Sequence, residues 1–301
     1  MKVGRHSINV SNTDKVLFPD DGVTKGDLID YYEAVGPQMV SYLKGRPLSL
    51  ERYPDGIDEQ QVFQQNAPQY FPVWIETASV KRVGGKGAVK HAVASDTASL
   101  VYLANQACIT PHAWLSRADR PMNPDQLIFD LDPADGVASA RRAALDVHEL
   151  LDELGLPATV KTTGGKGLHV HVPLDRTADF DEVRRFARGV AEVLVARNPD
   201  HYTLEQRKKA RRGRLYLDIM RNAYGQTAVP PYAVRARPGA TVATPLDWSE
   251  LEDRRFRIDR FTTRTIRRRL EHDGDPWPRL RGRSLTKPSR LLNSLLDSLT
   301  D

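Results

Sequence analysis

Leu127-Ile128-Phe129-Asp130-Leu131-Asp132-Pro133 is an apolar run interrupted by two carboxylates, two residues apart. In a β-strand, residues two apart point to the same face, which puts Asp130 and Asp132 side by side, roughly 6–7 Å apart at the backbone. Neighbouring carboxylates at the end of an apolar strand repel each other unless a positive charge intervenes. A hard cation with oxygen ligands, Mg²⁺ or Mn²⁺, answers that need. The plainer reading is an exposed strand end, with Asp132 opening the turn before Pro133.

The segments around this strand set the expected architecture. Ala138 to Leu154 reads as an amphipathic helix stopped by Gly155 and Pro157. Ala158 to Thr162 and Leu168 to Val172 read as strands, Phe180 to Ala196 as a helix, and Leu215 to Met220 as a strand. Upstream, Lys25 to Leu43 reads as a helix with Thr24 as N-cap and Gly45 just past its end, followed by a strand from Leu48 to Tyr53. Alternating strands and helices argue a sheet layered with helices, with a smaller N-terminal lobe. The leucines at 291, 292, 295, 296 and 299 recur at helical spacing and are expected to pack on the body.

A second carboxylate strand, Leu215-Tyr216-Leu217-Asp218-Ile219-Met220, carries one acid inside an apolar run. A buried Asp needs a metal or a basic partner. Three carboxylates on two strands match the ligand set of a two-metal phosphoryl-transfer site. Thr162-Thr163-Gly164-Gly165-Lys166-Gly167 lies between two strands, where glycines let backbone amides approach phosphate oxygens and Lys166 adds a charge. It lacks the spacing of a Walker A loop, and an ordinary glycine-rich hairpin is the alternative. Of the two histidines that follow, His169 is expected to contact phosphate or nucleotide and His171 to pack. Tyr232 to Arg237 reads as a strand with Arg235 and Arg237 on one face, a pairing suited to a triphosphate or to a surface ion-pair ladder.

The chain has 301 residues, 40% hydrophobic and 28% charged, with a net charge of +5. This composition fits a globular protein. No stretch approaches the 18 or more apolar residues of a membrane helix, and the first residues lack the apolar core of a signal peptide. Cys108 is the only cysteine, so neither a disulfide framework nor a Cys-based zinc site is expected. It reads as a small buried hydrophobe in a cytoplasmic protein with no membrane partner. Basic residues cluster at Arg207, Lys208, Lys209, Arg211, Arg212 and Arg214, and again at Arg254, Arg255, Arg257, Arg260, Arg264 and Arg267 to Arg269. Such runs suit a nucleic-acid backbone or, equally, a salt-bridged surface.

Taken together, LIFDLDP (127–133), KTTGGKGLHVHVPL (161–174), GRLYLDIMRN (213–222) and PPYAVRARPGATVATPLDW (230–248) resemble the primase-polymerase family, notably the polymerase domain of bacterial ligase D. KVLFP (15–19), RPLSLERYPDG (46–56) and SLVYLANQACITPHAWLSR (99–117) extend the resemblance, which runs from about Lys15 to Trp277. It implies an α+β archaeo-eukaryotic primase fold: an RRM-like catalytic sheet with flanking helices and a smaller N-terminal α/β lobe. The expected organisation is a primase-polymerase domain over 1–280, lobe and core interleaved, and a partly helical tail over 281–301.

The same resemblance implies that Asp130, Asp132 and Asp218 ligate two Mn²⁺ or Mg²⁺ ions. His112, Thr163, Lys166, His169, Arg211, Arg235 and Arg237 match positions around the incoming nucleoside triphosphate. Lys15 and Lys25 match the pair that grips a downstream 5′-phosphate, and Phe63 matches one of two adjacent template-stacking aromatics. The implied substrate is gapped or broken duplex DNA, with ribonucleotides preferred, and the implied partners are a separate ligase and an end-binding protein such as Ku, in a nucleoid-associated setting. Val62 departs from the family in lacking the first aromatic, Thr163 replaces a serine, Ala233 replaces a serine, and Arg221 stands where glutamine is common. Tyr53-Pro54-Asp55-Gly56 lacks the lysine of a ligase nucleotidylation motif, so the chain reads as a polymerase module without ligase. Two other classes fit parts of the pattern: a two-metal nuclease, which needs no triphosphate clamp, and a non-catalytic DNA-end-binding module, which needs no carboxylates.

Overall fold

The structure, a computed structural model, describes residues 1–133, 136–253 and 255–299. Chain order runs β1 (Lys2–Val3), β2 (His6–Ser7), β3 (Val16–Phe18), β4 (Val23–Thr24), α1 (Lys25–Leu43), β5 (Leu48–Arg52), β6 (Val62–Gln64), β7 (Thr77–Lys81), β8 (Ala88–Ala92), α2 (Thr97–Asn105) and β9 (Cys108–Trp114). It continues with β10 (Gln126–Asp132), α3 (Val137–Glu153), β11 (Thr159–Thr162), β12 (Leu168–Pro173), α4 (Phe180–Arg197), β13 (Tyr202–Thr203) and β14 (Leu215–Asp218). The last elements are β15 (Thr227–Ala228), β16 (Pro245–Leu246), α5 (Trp248–Glu252), α6 (Thr263–Asp273) and α7 (Thr286–Asp297). Two compact units result, each discontinuous: Met1–Asp119 with Thr227–Thr244 and Asp259–Asp275, and Arg120–Gln226 with Pro245–Ile258 and Pro276–Asp301.

In the first unit, β15-β9-β5-β8-β7 form a sheet with β6 added to β5. Helix α1 starts at a reciprocal cap, Asp27 N donating to Thr24 Oγ1 at 3.1 Å and Thr24 N to Asp27 Oδ2 at 2.8 Å. It packs on α2 through Gly36, where a Cβ would meet Thr97 Cγ2 at 2.4 Å. Cys108 is buried, and burial pushes its thiol well up, as a core residue requires.

The second unit holds the sheet β13-β14-β10-β12-β11-β16. All its pairings are antiparallel except β13 with β14. Helices α3 and α4 pack against the sheet, and α7 packs on α4. Gly189 makes that last contact possible, since a Cβ there would meet Leu292 Cδ2 at 2.9 Å. The leucine stripe is therefore partly a packing face: Leu292 is buried, while Leu291 and Leu299 stay exposed.

Two sequence expectations change. The strand from Leu215 stops at Asp218, because the Asp218 carboxylate accepts the Met220 amide at 2.7 Å and turns the chain. Tyr232 to Arg237 forms no strand: Tyr232 has φ +66°, and only an isolated bridge joins Val234 to Val242. That segment is held by irregular backbone bonds, such as Tyr232 N donating to Ala243 O at 2.7 Å, and by side chains, with Val234 N donating to Tyr32 Oη at 3.1 Å and Thr110 Oγ1 to Val234 O at 2.7 Å. Among the described residues no helix is long and apolar enough to cross a membrane.

Candidate active site

The register of the second unit's sheet aligns four ionisable side chains. Lys161 on β11 lies opposite His169 on β12, His169 opposite Asp130 on β10, and Asp130 opposite Asp218 on β14. Directly opposed residues share a face, so these four form a row across four strands, with Asp132 two residues beyond Asp130 on that face. Asp130 is 4% exposed. His169 Nε2 lies 3.3 Å from its Oδ1, and Arg221 Nε donates to its Oδ2 at 3.2 Å. Burial alone would raise the Asp130 carboxyl, but His169 and then Arg221 more than reverse this and hold it well below the usual carboxylate range. Burial, aided by the Lys161 charge, pushes His169 down to about 4 despite Asp130. Lys161 itself is fully buried, its Nζ donating to Thr162 O at 3.3 Å.

Asp218 behaves oppositely to Asp130. Burial raises its carboxyl, and the facing Asp130 charge adds to the shift. Two hard oxygen donors thus oppose each other, one charged and one reluctant to ionise. The buried Asp130 Oδ1 completes no aligned hydrogen bond. A divalent cation would relieve all three conditions, so the donor set fits a metal of the Mg²⁺ or Mn²⁺ type. Among the described residues, however, no group of three or more His, Cys, Asp or Glu side chains is gathered into a ready-made metal cluster. Asp132 is exposed at the end of β10.

The glycine-rich turn meets this site. Thr163 N donates to Gly167 O at 3.0 Å, and Gly165 N to Thr163 Oγ1 at 3.1 Å, closing the loop between β11 and β12. Gly167 has to be glycine: a Cβ there would lie 2.5 Å from Asp132 Oδ1 and 2.6 Å from Leu131 O. Lys166 is exposed at the loop's crest. Arg211 lies over the Tyr216 ring at 4.5 Å and donates to Glu205 O and Gln206 O at 3.1 and 2.7 Å. Tyr216 is the residue opposite Asp132 on the neighbouring strand. His171 packs at 5.1 Å from the Trp277 ring.

In the first unit, His112 Nε2 is 2.7 Å from Glu51 Oε2, and Tyr53 Oη donates to Glu51 Oε1 at 3.1 Å. Burial would raise Glu51, but the His112 hydrogen bond and charge, then Arg235, bring its carboxyl below the ordinary value. Phe63, opposite Glu51 on β6, is 53% exposed, with its ring 6.1 Å from that of His112. Arg235 and Arg237 lie on a tight loop, Arg235 N donating to Thr241 O at 2.8 Å and Arg237 N to Arg235 O at 2.9 Å. Elsewhere in this unit Lys25 N donates to Lys15 O at 2.8 Å, joining the two lysines. Lys25 Nζ reaches Asn105 O at 3.2 Å, while Lys15 Nζ pairs with Asp55 Oδ1 at 2.5 Å. Burial and then the Lys15 charge lower the Lys25 ammonium.

Three contributors escape the sequence. Glu51 anchors His112, Arg221 neutralises Asp130, and fully buried Asn222 fixes the loop carrying Arg221. Asn222 Oδ1 accepts from Ile128 N at 2.9 Å, and its Nδ2 donates to Ile128 O at 2.7 Å and Ile219 O at 3.0 Å. A carboxyamide in the run Met220-Arg221-Asn222 is the only sequence hint of this. The basic runs are largely tied into the fold: Arg264 Nη2 donates to Asp21 O at 2.9 Å, and Arg267 pairs with Glu271 at 3.1 Å. Arg254 lies outside the described residues.

The family described as "LigD, primase-polymerase domain" matches residues 24–277. The multifunctional non-homologous end joining DNA repair protein LigD of Mycobacterium tuberculosis (strain ATCC 25618 / H37Rv) is 34% identical over 286 residues, covering 91% of this chain and 37% of its own length. The bifunctional non-homologous end joining protein LigD of Bacillus subtilis (strain 168) is 31% identical over 285 residues, covering 92% and 45%. The chain thus spans less than half the length of these relatives. Among solved structures, the polymerase domain from Mycobacterium tuberculosis ligase D in complex with DNA superposes with a TM-score of 0.84 at 30% identity, covering 89% of this chain and 96% of that one.

Proposed function

The chain belongs to the LigD primase-polymerase domain family, and from that premise we propose that it is a template-dependent primase-polymerase, adding nucleotides to a primer 3′-hydroxyl at short gaps or breaks during end-joining repair. The observation that carries this reading is the direct opposition of Asp130 and Asp218 on adjacent strands, with Asp132 on the same face and the Gly167 turn against it. In the reaction the primer oxygen bonds to the α-phosphorus, the bond from that phosphorus to the bridging oxygen breaks, and pyrophosphate leaves. Asp130, Asp132 and Asp218 would hold two Mn²⁺ or Mg²⁺ ions, which when bound activate the hydroxyl and stabilise charge at the reacting phosphate.

The chain's own residues do the rest. His169, kept neutral by burial and Lys161, orients Asp130 without cancelling its charge. Lys166 and the amides of the glycine turn meet phosphate oxygens, and the Thr163 hydroxyl faces the nucleotide sugar. Arg211, Arg235 and Arg237 neutralise triphosphate charge, and His112, braced by Glu51, contacts the nucleotide. Phe63 offers an exposed ring for stacking a template base. The mutual repulsion of Lys15 and Lys25 is relieved by a 5′-phosphate between them. Ribonucleotide preference, preference for Mn²⁺, and cooperation with a ligase and a Ku-type end-binding protein belong to the same proposal.

The test is extension of a labelled primer on a gapped duplex with Mn²⁺, comparing ribo- with deoxynucleotides and phosphorylated with unphosphorylated downstream strands. Extension that depends on the 5′-phosphate is expected, and Asp130→Ala should lose extension while retaining DNA binding in a mobility shift. No incorporation under any of these conditions refutes the polymerase reading. DNA degradation without added nucleotides would establish the nuclease instead.

A further inference from the structure

Arg221 occupies an unusual position in the loop after β14. Its backbone is pinned from both sides, by the Met220 amide bound to Asp218 and by Asn222 bound to Ile128. Its side chain, in contrast, is 44% exposed. Among the described residues the guanidinium makes one hydrogen bond, from Nε to Asp130 Oδ2. A long, exposed side chain on a fixed root thus supplies the cation that a nearly fully buried carboxylate requires.

We propose that Arg221 is an internal counter-cation of Asp130 that competes with the divalent ion, so that metal loading requires the guanidinium to swing off the carboxylate. This rests on the reading of Asp130 as a metal ligand. Two features make the exchange feasible. Only one oxygen of Asp130 is bonded to Arg221, Oδ1 having no closer neighbour than His169 Nε2 at 3.3 Å and no aligned hydrogen bond, and the guanidinium is anchored to protein through that single contact. Arg221 therefore occupies the Asp130 carboxylate and weakens the site for metal until the guanidinium leaves. Repulsion between a divalent ion and a guanidinium about 6 Å apart amounts to roughly tenfold in affinity even at the dielectric constant of water.

The experiment is Mn²⁺ titration of the nucleotide-free protein, with free ion read by electron paramagnetic resonance at fixed ionic strength. The variants are Arg221→Gln, Arg221→Lys and Asp130→Asn, each checked for folding by its melting curve. Arg221→Gln should bind Mn²⁺ about tenfold more tightly than the wild type. Arg221→Lys, which keeps the charge, should stay close to the wild type, and Asp130→Asn should lose the tight site. Equal or weaker Mn²⁺ binding by Arg221→Gln overturns the proposal, as does equal tightening by Arg221→Lys. Unchanged binding by Asp130→Asn removes the metal reading itself, and this inference with it.

Discussion

Asn222→Ala tests whether a side-chain amide does the work of a missing strand. Strand β14 pairs with β10 only from Asp130 to Asp132, so Ile128 has no backbone partner on that edge. Asn222 fills the gap, accepting from Ile128 N and donating to Ile128 O and Ile219 O, while fully buried. Alanine removes three hydrogen bonds and strands an amide and a carbonyl on a strand whose core residues are sealed from water. With partial relief from a water in the vacated space, the loss should be about 2–4 kcal/mol. For a chain of this size that is a fall in melting temperature of roughly 3–6 °C. Calorimetry without metal or nucleotide measures it directly. Asn222→Asp should lose at least as much, since it keeps the acceptor but loses both donors and buries a charge. If Asn222→Ala melts within a degree of the wild type, the amide is not completing the ladder and the argument fails.

Gly167→Ala drives a methyl into Leu131 O and Asp132 Oδ1, and should cost about 1–3 kcal/mol in stability. Because it displaces Asp132, primer extension should fall roughly tenfold to a hundredfold; unaltered extension would mean that the turn yields freely. Glu51→Gln should be about 1–2 kcal/mol less stable than the wild type at neutral pH. Since the folded Glu51 carboxyl lies below its unfolded value of about 4.3, its stabilisation is complete above that pH and is lost as pH falls through the folded value. The gap between variant and wild type should therefore close on acidification, and a constant gap from pH 7 to 3 in denaturant titrations would contradict this. Lys25→Met should lose the preference for a phosphorylated downstream strand while retaining extension on an unphosphorylated one; retained preference would move the phosphate site elsewhere.

The elements legible in the sequence are those that local chemistry dictates. Thr24 and Asp27 cap α1 within their own turn, so its bounds, Lys25–Leu43, follow from the chain alone. Residues 127–131 alternate between faces with no competing pattern, and β10 extends them by one residue at each end. Tyr232 to Arg237 misled because two arginines at alternate positions imitate strand periodicity, whereas Tyr32 and Thr110, more than a hundred residues away, impose its irregular path. At the site, Asp130, Asp218 and His169 were visible as residues but their register was not. Which acid stays charged depends on Arg221 and on burial, both products of the assembled sheet. Glu51 was silent because a glutamate ending an apolar strand looks like any exposed strand end until His112 is brought beside it.

Each compact unit is assembled from three separated stretches of one chain, and this has a consequence for biosynthesis. A nascent chain emerging from the ribosome at residue 200 carries most of both units and completes neither. The first unit waits for residues up to Asp275, and the sheet of the second waits for β16 at Pro245–Leu246. Vectorial, one-unit-at-a-time folding is therefore denied to this polypeptide, and late sheet closure leaves the edge of β11 unpaired until synthesis is well advanced. Truncation before Pro245 should thus yield an aggregating product rather than a smaller working enzyme, with the fault arising in assembly rather than in catalysis.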